Sequence, residues 1–112
     1  MINIISLQIN AKIMTSNKAE IENLVSEICS DMKLKNEIEI EAKKIIDMFM
    51  TTKIAETLKS RYVAAGAIYI SIILCNERMT QAAVAEGAGI TINEMRKGYI
   101  AIRENVGIPI TL

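Results

Sequence analysis

The fold is decided by residues 80–102, which read TQAAVAEGAGITINEMRKGYIAI. Thr80 and Thr91 each precede a run of apolar residues at helical spacing, and threonine is a preferred N-terminal cap. Gly89 lies between the two runs, where glycine commonly ends a helix. The segment therefore predicts a short helix over 81–86, a turn and then a longer helix, which is the layout of a helix-turn-helix.

This pattern leaves two uses of the helix pair open. In DNA-binding proteins the second helix presents its N-terminal residues to the major groove. A helical hairpin can also serve packing alone. The second helix extends here from Thr91 to about Asn105. The apolar residues expected between the two helices, or facing inward from the second, are Val84, Ile90, Ile92, Met95, Tyr99 and Ile102.

The segment before this pair predicts a helix enclosed by other helices. Residues 63–74 are apolar on nearly every side, and a helix of that kind is surrounded by neighbours. Ser60 is placed to cap this helix, and Cys75 ends it. Gly66 lies in its middle, where glycine costs about 1 kcal/mol relative to alanine. We therefore expect Gly66 to be buried against a neighbouring helix.

Two further helices are predicted upstream. Apolar residues recur at helical spacing over 18–32, where Asn17 and Glu20 are placed to form a capping box, and again over 36–50. Residues 51–59 leave two alternatives open, an extension of the second helix or a separate short turn.

The ends of the chain have a different pattern. Residues 5–13 alternate between apolar and polar, which predicts a β-strand, with a helical or disordered segment as the alternative. We therefore divide the chain into an N-terminal extension or arm (1–16), a helical domain (17–107) and an extended tail (108–112).

Composition argues against enzymatic chemistry. The chain has no histidine, which is the commonest general base and metal ligand. Cys29 and Cys75 fall in separate apolar helices and are too few for a structural zinc site. The phosphate-binding and serine-nucleophile motifs are absent. We therefore expect no catalysis, no cofactor and no metal.

Charge and hydropathy indicate where the protein acts. Its 13 basic and 13 acidic residues cancel, so the chain has no general attraction to nucleic acid or to anionic membranes. No apolar block is long enough to span a bilayer, and the N-terminus does not resemble a signal peptide. We expect a cytoplasmic protein with reduced cysteines and no membrane partner.

Three separated pieces of the sequence resemble one known family. They are AAGAIYIS at 64–71, RMTQAAVAEGAGIT at 78–91 and MRKGY at 95–99. In order and spacing they are similar to archaeal transcription factor B, the relative of eukaryotic transcription factor IIB. The resemblance implies an all-α fold, a five-helix cyclin-box-like domain with a C-terminal helix-turn-helix, to which the N-terminal strand would be an addition.

The resemblance also implies partners and contact residues. In the family, such a box binds double-stranded DNA beside the promoter TATA element and contacts the TATA-binding protein. Carried over by position, the residues implied to contact DNA are Gln81, Thr91, Ile92, Asn93, Glu94 and Arg96, with Lys97 in the same turns and with Lys59 and Arg61 near the phosphate-contacting segment.

Two hypotheses about function therefore stand side by side. The first is a transcription-regulatory domain that binds DNA, which Arg96 and Lys97 favour. The second is a protein-interaction module with the same fold that has lost DNA binding, which Glu94, Gly98 and Ile100 favour, since the family usually carries basic residues at the last two positions.

We also expect a homodimer. In the family each box packs against a second box of the same chain, and a box on its own leaves that apolar surface open. The predicted strand over 5–13 could pair with the tail at 108–112 of a second copy, and an exchanged arm of this kind would join two chains about a two-fold axis.

Overall fold

Five α-helices and one 3-10 turn make up the architecture. The computed structural model describes the backbone of residues 2–108 and the side chains of residues 17–108. The elements are α1 (Ile2–Asp31), α2 (Asn36–Phe49), the 3-10 turn (Lys53–Thr57), α3 (Ser60–Leu74), α4 (Gln81–Ala88) and α5 (Ile92–Val106). Residues 2–108 contain no β-strand. The predicted all-helical fold is confirmed.

The central helix is α3, as predicted. It packs against each of the other four helices, and every residue from Val63 to Ile68 is buried. The hydroxyl of Ser71, which is also buried, donates to the carbonyl oxygen of Ala67 over 2.7 Å. A buried hydroxyl without a partner would cost about 1–3 kcal/mol. α3 can therefore be enclosed because its sequence is apolar and this polar group is satisfied.

Two glycines allow α3 and α5 to cross in close contact. A Cβ atom on Gly66 would lie 2.5 Å from the backbone nitrogen of Tyr99, and one on Gly98 would collide with the carbonyl oxygen of Tyr62. Each helix thus presents a glycine to the backbone of the other. The prediction that Gly66 is buried against a neighbouring helix is confirmed.

α1 and α2 pack on α3 through large aliphatic stripes. The buried residues of these two helices are Ile21, Val25, Ile28, Cys29, Ile38, Ala42, Ile45, Ile46 and Phe49. They match the stripes predicted from sequence. Burial raises the pKa of the Cys29 thiol to about 11, so this cysteine is protonated at neutral pH. The open question over residues 51–59 is settled by the 3-10 turn, which buries Ala55.

The predicted strand over residues 5–13 is wrong, because this backbone is helical and belongs to α1. An alternation of period two also repeats every four positions, and that spacing suits a helix as well. Asn17 caps nothing, since α1 runs through it. The tail at 109–112 lies outside the described residues, and the division of the chain at residue 17 stays a prediction.

The start of α3 differs from the prediction. Ser60 is the first residue of α3 and makes no capping hydrogen bond, so its predicted capping role is wrong. In the part of the chain with a described backbone, no helix combines the length and the hydropathy needed to cross a membrane.

Candidate functional site

The turn between α4 and α5 is built as the sequence predicted. The Thr80 hydroxyl accepts a hydrogen bond from the Ala83 backbone N–H over 3.0 Å and caps α4. Gly89 adopts a left-handed conformation with φ 72°, which only glycine adopts without strain. The N–H of Ile90 then donates to the Ala85 carbonyl oxygen over 3.0 Å. This closes the end of α4 and directs the chain into α5. α4 ends two residues later than predicted.

The space between the two helices is filled largely as expected. Val84, Met95, Tyr99 and Ile102 are buried, and Ile90 is half-buried. The inward placement predicted for Ile92 is wrong, because 39% of this residue is exposed. It lies in the first turn of α5, where the neighbouring elements do not cover it.

The N-terminus of α5 is fixed by a capping box. Thr91 accepts a hydrogen bond from the Glu94 N–H over 3.1 Å, and the Glu94 carboxylate accepts one from the Thr91 N–H over 2.9 Å. The Tyr62 hydroxyl on α3 donates to the second carboxylate oxygen. The hydrogen bond from the Thr91 backbone, followed by that from Tyr62, lowers the pKa of Glu94 below its ordinary value. Glu94 is therefore ionised at neutral pH and held within the fold.

Lys59 and Arg61 also contact this region. The Lys59 ammonium lies 5.6 Å from the centre of the Tyr62 ring, a cation–π distance. An Nη atom of Arg61 donates to the carbonyl oxygen of Ala88 over 3.0 Å. The carbonyl groups at a helix C-terminus lack partners and carry partial negative charge, so this contact stabilises the end of α4.

Arg96 is held by α4. Its Nε donates to the side-chain oxygen of Gln81 over 3.0 Å, and the amide nitrogen of Gln81 donates to the Tyr99 hydroxyl over 3.2 Å. The Tyr99 ring packs against Tyr69 of α3 at a centroid distance of 5.3 Å. A chain of side chains thus connects the buried face of α5 to its exposed face.

The outer face of α5 carries the remaining predicted residues. Asn93, Arg96 and Lys97 are exposed and lie within two turns of the helix start. Glu94 is held in the capping box, and the structure brings the other eight predicted contact residues to the starts of α3, α4 and α5. These residues are Gln81, Thr91, Ile92, Asn93, Arg96, Lys97, Lys59 and Arg61.

Charge is unevenly distributed despite the overall balance. Residues 59–106 contain six basic and four acidic side chains, whereas residues 17–58 contain six basic and nine acidic ones. One of those four acids, Glu94, is held in the capping box. The half of the domain that contains the helix-turn-helix is therefore the one suited to an anionic partner.

Sequence reasoning misjudged two positions and missed one. Gly98 and Ile100 do not discriminate between the two hypotheses, because Gly98 is buried against α3 and Ile100 packs partly on the core. The contact of Tyr62 with Glu94 was missed. The role of Glu94 in a capping box could have been found, because the Thr-x-x-Glu pattern of residues 91–94 is its signature. In residues 17–108 no cluster of histidine, cysteine and acidic side chains could hold a metal.

Comparison with known proteins identifies the family. Residues 14–105 match the family described as the transcription factor TFIIB repeat. The chain belongs to this family. The TFIIB-repeat match confirms the resemblance and, with the five helices, the predicted cyclin-box-like fold. No solved structure matches the chain significantly.

Several archaeal proteins are similar to this TFIIB repeat along most of its length. Transcription initiation factor IIB of Methanothrix thermoacetophila is 31% identical over 108 residues, that of Methanosarcina mazei 33% and that of Archaeoglobus fulgidus 32%. Each alignment covers 96% of this chain and 31% or 32% of the relative. The chain thus spans about a third of the length of these curated relatives.

The names of the relatives indicate the class of protein to which they belong. All three are transcription initiation factors. This confirms the prediction of a transcription-related, non-enzymatic family. The prediction of the residues that contact a partner remains a proposal.

Proposed function

We propose that this TFIIB-repeat domain binds double-stranded DNA through α4 and α5 and acts in the control of transcription initiation. One observation carries the proposal. The N-terminal half of α5 is rigidly capped and presents Asn93, Arg96 and Lys97 on its exposed face. In a helix-turn-helix, these turns enter the major groove.

Each residue at the interface has a role suited to its chemistry. Arg96 and Asn93 contact base edges, since guanidinium and amide groups pair with guanine and adenine in the major groove. Lys97 contacts phosphate as a point charge. The other members of the interface, which position the helices or lie near the backbone, are Gln81, Thr91, Ile92, Lys59 and Arg61.

We propose the TATA-binding protein as a second partner. The support is the resemblance to archaeal transcription factor B together with the neutral net charge of the chain. Phosphate contacts supply nearly all nonspecific affinity, so a domain with no excess of positive charge benefits from a partner already on the DNA. Such a role places the protein in the cell interior.

Fluorescence anisotropy with labelled duplexes tests the DNA proposal. Duplexes with and without a TATA element are titrated at several salt concentrations from about 50 mM, in the presence and absence of TATA-binding protein. We expect affinity to fall as salt rises. Lys97→Ala should reduce the slope of log K against log salt by about 1 for every sequence.

The matched control is Lys44→Ala, which removes the same charge from an exposed position on α2. It should leave both the affinity and the slope unchanged. Absence of salt-dependent binding by the unmodified protein, with and without TATA-binding protein, would contradict the proposal and favour a protein-interaction module instead.

A homodimer is also proposed, although the strand that was to join the two copies is a helix. Its support is the outer face of α2, where Ile40 and Met48 are 48% and 49% exposed and lie eight residues apart. Exposed apolar side chains on one face favour association. Sedimentation equilibrium should give a dimer that Met48→Lys converts to monomer. A monomer at micromolar concentration would end this part of the proposal.

A further inference from the structure

Gln81 lies between a buried tyrosine and an exposed arginine. Its side-chain oxygen accepts from Arg96 Nε over 3.0 Å, while its amide nitrogen donates to the Tyr99 hydroxyl over 3.2 Å. These contacts join α4 to two positions on successive turns of α5. Both ends of the glutamine amide are thereby used, which fixes its orientation.

Tyr99, at the buried end of this hydrogen-bonded chain, is held in place by packing. Tyr99 is 5% exposed, and its ring packs against Tyr69 of the central helix. Gln81 is half-buried at the first turn of α4, whereas Arg96 is exposed. The long arginine side chain is therefore restrained from the protein side before any ligand arrives. Such restraint lowers the entropic cost of binding.

The hydrogen bond to Gln81 uses Nε of Arg96 and so determines which donors of the guanidinium group remain for a ligand. A guanidinium group has five N–H donors in a planar fork, and Nε supplies one of them. In residues 17–108, the hydrogen bond through Nε is the only one that the Arg96 side chain makes. The terminal Nη1 and Nη2 groups remain for a ligand. Two parallel donors at the end of an arginine match the O6 and N7 acceptors of guanine in the major groove.

We propose that Gln81 is a positioning residue that presents Arg96 end-on to a guanine in duplex DNA. The inference rests on the proposed DNA binding through Arg96 and adds the residue that makes the geometry of that arginine selective. Gln81 acts through Arg96, so removing it should weaken discrimination between bases and not general affinity.

The test uses duplexes selected by the unmodified protein from a randomised library. Anisotropy is then measured on the selected duplex and on copies in which single guanines are replaced by 7-deazaguanine, which lacks the N7 acceptor. Because 7-deazaguanine keeps O6, one replacement removes one of the two hydrogen bonds. We expect it to weaken binding about 12- to 150-fold, the range for one hydrogen bond from a charged donor, and Arg96→Ala to abolish that difference.

Gln81→Ala should reduce the discrimination by about 2- to 12-fold, the range for one hydrogen bond, with the salt slope unchanged. Its Tm should fall slightly, because the hydroxyl of the buried Tyr99 loses its partner. In an Arg96→Ala background the same change should have no further effect. Gln81→Glu keeps an acceptor for Arg96 Nε and should restore discrimination, even if its charge lowers affinity for all duplexes. Asn23→Ala, an exposed amide on α1, is the control.

Other outcomes overturn the inference in distinguishable ways. Gln81→Ala could lower the affinity for the selected duplex and for its 7-deazaguanine copy equally, or lower it further in the Arg96→Ala background. Either result would show that Gln81 contacts DNA directly or maintains the fold. Binding that is insensitive to every 7-deazaguanine would assign Arg96 to phosphate and leave the proposed function intact. Failure of the unmodified protein to bind any duplex would remove the proposed function as well.

Discussion

The two halves of the domain hold their helices together by different means. α1 and α2 pack through large aliphatic stripes, and their polar faces carry ion pairs such as Lys18–Asp47 and Lys43–Glu39. α3, α4 and α5 meet through glycine contacts, capping groups and hydrogen bonds between side chains of different helices. Hydrophobic burial is tolerant of small shifts, whereas backbone contact and hydrogen bonds fix position and orientation.

This difference corresponds to a division of labour. The first half contributes mainly buried area, which stabilises the fold without directing any one side chain. The second half places the outer face of α5, where Asn93 and Arg96 need defined positions for the base contacts proposed for them. Substitutions in the two halves should therefore separate stability from recognition.

The largest expected effect is loss of buried area in the first half. Phe49 is fully buried at the end of α2. Phe49→Ala should lower the free energy of unfolding by about 3–5 kcal/mol, through lost transfer energy and the cavity left behind. Urea denaturation measures this. DNA affinity of the folded variant should be unchanged, and a large loss of affinity would contradict the division.

The matched control for Phe49 is Lys44, which is exposed on the same helix. Lys44→Ala should change the free energy of unfolding by no more than about 0.5 kcal/mol. Similar losses of unfolding free energy for Lys44→Ala and Phe49→Ala would mean that Phe49 does not lie in the core.

The next largest effect concerns the glycine contact in the second half. In Gly98→Ala the new methyl group meets the backbone of Tyr62 on α3, and we expect a loss of about 3 kcal/mol from overpacking. Gly89→Ala makes the same chemical change where nothing lies within 4 Å, so only its left-handed φ opposes it, at about 1–2 kcal/mol. Equal losses of unfolding free energy for Gly98→Ala and Gly89→Ala, measured by urea denaturation, would mean that α3 and α5 do not cross in close contact.

A smaller effect is expected at the cap of α5. Thr91→Ala removes the hydroxyl that accepts from the Glu94 N–H, which should cost about 1 kcal/mol of stability and also weaken DNA binding. In Thr57→Ala, the lost hydroxyl only donates to the Ile54 carbonyl oxygen on an exposed turn, so we expect no more than about 0.5 kcal/mol. Comparable losses of stability for Thr91→Ala and Thr57→Ala would show that the cap of α5 contributes no more than an exposed turn.

The smallest effect is a dependence on pH. The pKa of Glu94 is lowered in the folded state, so its contribution to stability is present above its ordinary pKa of 4.5. That contribution declines as the pH falls through the folded pKa. The stability difference between the unmodified protein and Glu94→Gln should therefore be constant near neutrality and shrink below about pH 4.5. Urea midpoints that fall in parallel at acid pH would contradict this.

Much of this architecture could be predicted because it depends on local pattern. The caps at Thr80 and Thr91 and the turn at Gly89 involve residues within a few positions of one another, and the sequence identified all three. The apolar stripes of α2 and α3 likewise follow a simple period. The outward position of Ile92 was missed because periodicity indicates which side of a helix faces inward but not where its neighbours end.

For residues 5–13 the strand was preferred and the helix was only the alternative, because an alternation of period two contains the four-residue spacing of a helix. Other features depend on how distant segments meet. The link from Arg96 through Gln81 to Tyr99 joins side chains 15 and 18 positions apart. Its existence depends on the angle at which α4 meets α5, which no local pattern encodes.

The close crossing of α3 and α5 has a consequence for protein engineering. Gly66 and Gly98 each lie against the backbone of the opposite helix, so neither position can be varied without moving both helices. Asn93 and Arg96 lie on the exposed side of the same α5. A library randomised at these two positions would thus explore the proposed base preferences on an unchanged scaffold, since the glycines that set the crossing of the helices and the residues proposed to meet the ligand are separate sets.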